Sequence, residues 1–94
     1  MAFVITKPIE EQKKEFTDKI NSDSYDRITT LYPIYLQLNI EREPNATAIT
    51  TMHTFIDAVR GYANVAKTEI VSSTNIADIR TAYNTFKNSI ESLI

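Results

Sequence analysis

Ile49, Met52, Ile56, Val59, Ala63, Ala66 and Ile70 alternate in steps of three and four, an apolar seam unbroken over 22 residues. Only an α-helix brings that spacing onto one face, and three heptads in succession describe a helix packed lengthwise against another. Ala48, Phe55 and Tyr62 flank the seam and widen it beyond the narrow stripe of a two-stranded zipper. A polar break, Ser72-Ser73-Thr74-Asn75, then offers an N-cap, with Asp78 placed in the turn that follows. Beyond it Ile76, Ile79, Tyr83, Phe86, Ile90 and Leu93 resume the same period. Helices over 46–72 and 75–94 joined by so short a link must run antiparallel, as a helical hairpin. The seams are complementary in size: Ala63 and Ala66 leave room at about the distance from the turn where Tyr83 and Phe86 supply bulk. The hairpin is therefore the expected folding nucleus and scaffold.

The upstream half is less regular. One glycine and three prolines are too few for the many tight turns of a small β-sandwich or barrel. Ile28, Leu31, Tyr35 and Leu38 give the core stripe of a helix over 24–42, widened by Tyr32 and Ile34. Pro33 falls inside it, where proline removes a ladder bond and clashes with the preceding turn at about 3 kcal/mol. The helix is either kinked there or restarts with Pro33 in a new first turn, and the restart is favoured. Ser22-Asp23-Ser24 reads as a break that doubles as an N-cap. Before it lies a helix over 7–21 with Thr6 as cap, Pro8 in the first turn and a thin apolar stripe of Ile9, Phe16 and Ile20. Glu10 and Lys14, and Glu15 and Lys19, are spaced for favourable i,i+4 pairs on its solvated side. Residues 1–6, with Phe3, Val4 and Ile5, form a short extended arm that either straps onto the body or pairs with another chain. The expected fold is all-α: one small helical bundle built on the C-terminal hairpin, with one or two N-terminal helices and that strap.

The residue inventory restricts the chemistry. With no cysteine, neither a disulfide framework nor a thiolate metal site can be built. The single histidine, His53, has no second imidazole to pair with and no Glu-x-x-His spacing, so it reads as a partly exposed structural residue. Gly61 stands alone mid-helix, opposite the seam, and cannot form a phosphate-cradling loop. It marks either a freely exposed face or the close approach of a partner backbone. Glu10, Glu11, Glu15 and Asp18 alternate with lysines as a solvated face does, and Thr47, Thr50, Thr51 and Thr54 have no base beside them to make a nucleophile. Catalytic, cofactor and metal residues are accordingly expected to be none. The net charge of −2 with no basic stripe disfavours nucleic acid. The apolar run Ala2-Phe3-Val4-Ile5 is shorter than a signal-peptide core or a membrane span, so no membrane partner is expected. Asn45-Ala46-Thr47 matches a glycosylation acceptor but is taken as an accident of a Thr-rich stretch. Tyr25, Tyr32 and Tyr35 crowd one segment, where amphipathic rings suit either half-buried core positions or a partner surface.

The stretch Tyr32-Pro33-Ile34-Tyr35-Leu36-Gln37-Leu38-Asn39-Ile40-Glu41-Arg42-Glu43 resembles a motif in short helical regions of tailed-bacteriophage tail-fibre and tail-assembly proteins. In those a Tyr-Pro pair precedes an aromatic, then Gln and Asn two apart, then Arg. The order continues with Met52, Phe55-Ile56-Asp57 and Val59-Arg60, a small polar linker and a last amphipathic helix, so the likeness spans roughly residues 25–90. It departs at Tyr35-Leu36, where the family often has Trp-Lys. The resemblance implies no enzyme, only assembly or attachment within a tail, in the virion or the host cytoplasm. The expected protein is a non-catalytic phage structural or tail-assembly component acting by helix–helix association, as a homo-oligomer or with another tail protein. The alternative is a small regulatory module, a host-directed inhibitor or adaptor. Either would present Phe3, Val4, Ile5, Tyr25, Tyr32 and Tyr35 to a protein partner.

Overall fold

Heptad patterning over half the chain is realised as four helices in a computed structural model, which describes residues 8–42 and 45–93. They are α1 (Ile9–Leu31), α2 (Ile34–Arg42), α3 (Ala46–Ser72) and α4 (Ile76–Glu91), and the fold is an all-α bundle with no strand among the described residues. The strap with Phe3, Val4 and Ile5, and Thr6 as cap, lie outside them.

The hairpin is closed at its turn by side chains. Ser73 Oγ donates to the carbonyl of Glu69 at 2.8 Å, satisfying an orphan acceptor at the end of α3. Asn75 Oδ1 accepts from the backbone N–H of Asp78 at 2.9 Å, and Asn75 Nδ2 donates to the Asp78 carboxylate at 3.1 Å, a reciprocal cap on α4. Asn45 caps α3 in the same manner, its Oδ1 3.1 Å from the amide of Ala48. Capping thus gives this asparagine of the glycosylation-like triplet a local role. The core is Met52, Phe55, Ile56, Val59, Ala63, Ala66 and Ile70 from α3 with Ile79, Ala82, Tyr83, Phe86 and Ile90 from α4. Ile49 heads the expected seam but is only half-buried, and the flanking Phe55 is buried in its place.

α1 packs along both arms of the hairpin. Lys13 Nζ reaches the carbonyl of Val71 at 2.9 Å and Lys67 Nζ reaches Asn21 Oδ1 at 3.0 Å, so α1 runs antiparallel to α3. Phe16 meets Tyr83 edge-on at 5.5 Å between centroids. Ile20 is fully buried, a burial worth roughly 2–3 kcal/mol.

The expected break at Ser22-Asp23-Ser24 does not occur: α1 continues through it for 23 residues. Ser24 Oγ bonds back to the carbonyl of Ile20 at 2.7 Å, a helix-interior mode of serine that leaves it unavailable as a cap. Asp23 instead accepts the hydroxyl of Tyr83 from α4. Two residues that favour helix ends thus sit inside a helix, Ser24 bonded back within α1 and Asp23 engaged by a tertiary contact. Pro8, placed by sequence in the first turn, stands at the N-cap position itself and makes no side-chain cap bond.

The restart at Pro33 is the observed arrangement. Tyr32, at φ −128° and ψ 77°, has left the helical region, as the residue before a proline is driven to do. The amide of Gln37 bonds to the carbonyl of Pro33 at 3.0 Å, and the Gln37 side chain donates to the carbonyl of Tyr32 at 2.7 Å. The core stripe expected over 24–42 is overturned in consequence. Leu31, Tyr35 and Leu38 are exposed and Ile28 is half-buried. Their three–four spacing shares one face only in an uninterrupted helix, and the two non-helical residues reset the phase. α2 packs on α3 with Gln37 and Ile40 half-buried instead.

Candidate protein-association surface

α2 has apolar residues around most of its circumference. At 100° per residue Ile40 and Leu36 lie on the half-buried side, while Ile34, Tyr35 and Leu38 span an arc of about 100° on the other. That outer arc is open: Ile34 is 52% exposed, Tyr35 68% and Leu38 53%. Leu31, at the end of α1, adjoins it at 39%. No residue of α2 is fully buried. A helix apolar on both sides is normally enclosed on both sides, so this face has the composition of a contact surface.

The rest of α2 is fixed to the body. His53 Nε2 lies 2.6 Å from Glu41 Oε1, joining the end of α2 to α3. His53 is about half exposed and serves as a tie between helices. Glu41 is thus engaged sideways, leaving Arg42 as the other charged side chain of α2.

The expected tyrosine cluster is divided. Tyr35 belongs to the open face. Tyr32 turns inward, its ring 5.7 Å from Phe55 and tilted by 52°, and packs against the core. Tyr25 is 60% exposed, but on α1, beside a groove whose lining includes Ile28, Arg60 and Lys67. Phe3, Val4 and Ile5 lie outside the described residues. Leu31, Ile34 and Leu38 complete the face, although the sequence pattern assigns them to the core stripe. The signal for them was present, since the segment Ile-Tyr-Leu-Gln-Leu-Asn-Ile taken alone as a helix is apolar on both sides.

Asp23, Tyr83, Glu41 and His53 make contacts between helices. Among the described residues no three His, Cys, Asp or Glu side chains come together as a metal site, and no helix is long and apolar enough to cross a membrane. Tyr83 is the one buried phenol. Burial pushes its hydroxyl well above the usual tyrosine range, and the hydrogen bond to the Asp23 carboxylate pushes it further. A phenol held protonated in this way is a hydrogen-bond donor and a poor nucleophile. Lys19 and Lys87 lie 5.4 and 5.9 Å from the centre of its ring, adding cation–π contact at the meeting of α1 and α4. A Cβ added at Gly61 would meet nothing within 4 Å among the described residues, as on a freely exposed face.

Compared with known proteins, the chain matches no family model, and no curated protein or solved structure is significantly similar to it.

Proposed function

We infer that the protein is a non-catalytic association module, a phage structural or tail-assembly component that binds a protein partner through the outer face of α2. The observation that carries this reading is the open arc of Ile34, Tyr35 and Leu38 on a helix whose inner side already meets α3. Large aliphatic and aromatic side chains grouped on a rigid helix are the usual anchors of protein interfaces. The likeness of residues 32–43 to phage tail proteins supports the tail context, because the same residues build this helix. The virion or the host cytoplasm is the corresponding location.

Co-expression with the proteins encoded beside it, followed by affinity capture, tests the reading. A stoichiometric complex that Leu38→Glu weakens at least tenfold supports it. Failure to capture any of those proteins, or capture indifferent to Leu38→Glu, overturns it. Recovery of a single host enzyme in their place would favour the regulatory alternative.

A further inference from the structure

Resting on the reading of α2 as an association surface, we propose that its first occupant is a second copy of this chain, docked antiparallel across a two-fold axis near residues 36 and 37.

Area is the first argument. From their exposed fractions, Leu31, Ile34, Tyr35 and Leu38 offer roughly 400 Å² of apolar surface, the size of the largest and often functional patch on a monomer. Closing this face on a second copy covers about twice that, and the stems of Thr30, Asn39 and Arg42 bring the total near 1,000 Å², the lower edge of specific interfaces. An identical α2 offers an opposing face that is equally apolar and equally short.

Charge is the second argument. The outer arc holds no acidic or basic side chain between Leu31 and Asn39. Glu41 is occupied by His53, and Arg42 shares the outer arc only at its C-terminal end, opposite the partner's Leu31, where its stem can pack while its guanidinium stays in water. The two Arg42 side chains sit at opposite ends of the contact, each about 8 Å along the helix from the axis, so like-charge repulsion between the copies is small.

Geometry is the third. A two-fold contact is self-complementary: if residue i meets residue j, then j meets i. With the axis at the level of residues 36 and 37, Tyr35 of each copy lies opposite the partner's Leu38, and Ile34 lies opposite the partner's Asn39. The large ring then packs twice against a smaller branched side chain, as interdigitated helix pairs do. The contact is modest and concentration-dependent, as expected at the low end of interface size.

Two measurements test this. Sedimentation equilibrium over roughly 10–500 µM should show the mass rising from 10.7 kDa toward twice that value, and Leu38→Glu should abolish the rise. Leu38 is exposed, so the variant keeps the helical circular-dichroism spectrum of the parent. The absence of cysteine permits a register test as well. Mixed Tyr35→Cys and Leu38→Cys proteins, oxidised together, should form the mixed disulfide well above either homodimer and above a Gly61→Cys control. A mass that stays at 10.7 kDa throughout, or cross-linking no better than the control, overturns the dimer. In that outcome, capture of a neighbouring protein that still depends on Leu38 leaves the association reading intact. Loss of capture with the dimer intact overturns only that reading.

Discussion

Tyr83→Phe isolates the contact that Asp23, inside α1, makes with α4. The substitution retains the ring, and with it the edge contact with Phe16 and the packing beside Phe86. It removes only the hydroxyl that donates to Asp23, a bond linking residues sixty apart in sequence. A hydrogen bond to a charged group contributes about 1.5–3 kcal/mol, and the lower end applies because half-buried Asp23 can turn to water once its donor is gone. The expected loss is about 1–1.5 kcal/mol. For a chain of this size, with a urea m-value of about 1 kcal/mol/M, the midpoint should fall by roughly 1 M with the slope unchanged. Alkaline pH gives an independent check. Up to about pH 10 the phenol is protonated in both folded and unfolded chains and contributes no pH dependence. Above that the unfolded tyrosine ionises while Tyr83 in the fold keeps its proton, so stability falls, by up to about 1.4 kcal/mol per pH unit from this group. The difference between parent and Tyr83→Phe should therefore shrink as pH climbs past 10. Urea titrations followed by circular dichroism at pH 7, 10 and 11 measure both effects. An unchanged midpoint at pH 7, or a difference that grows with pH, would refute the reasoning.

Gly61→Ala should stabilise the fold by about 0.5–1 kcal/mol, since the new methyl meets open space and the helix gains propensity; thermal melting should shift up by a few degrees. Asn75→Ala removes the cap of α4 and should cost about 1 kcal/mol in the same assay, with Asn75→Asp recovering only part of it, because its carboxylate accepts from the Asp78 amide but repels the Asp78 side chain. Ile20→Ala and Leu38→Ala, equivalent as helix stripe positions in the sequence, should differ sharply. The first empties a fully buried site at about 2–5 kcal/mol, whereas the second, on an exposed face, should stay within about 0.5 kcal/mol at low protein concentration.

The parts legible in the sequence are those where local and tertiary preferences agree. The stripe of α3 and α4, the short polar link and the cap before α4 each specify the same hairpin from within a few residues. No distant contact is needed to decide between helix and turn there. Tertiary structure settled two points that local rules answer differently. Within the continuous stretch 22–24, Asp23 meets Tyr83 sixty residues away, a contact that no propensity scale contains. The candidate face depends on the phase of α2, which the non-helical residues Tyr32 and Pro33 uncouple from α1. The residues 28–38 carry enough apolar side chains for two faces, and the sequence by itself says that they are helical and apolar. Which of them point inward is a matter of where α3 stands. Packing Ile40 and Gln37 against it leaves Ile34, Tyr35 and Leu38 facing out, because one short helix resting on one neighbour can cover only one of its sides.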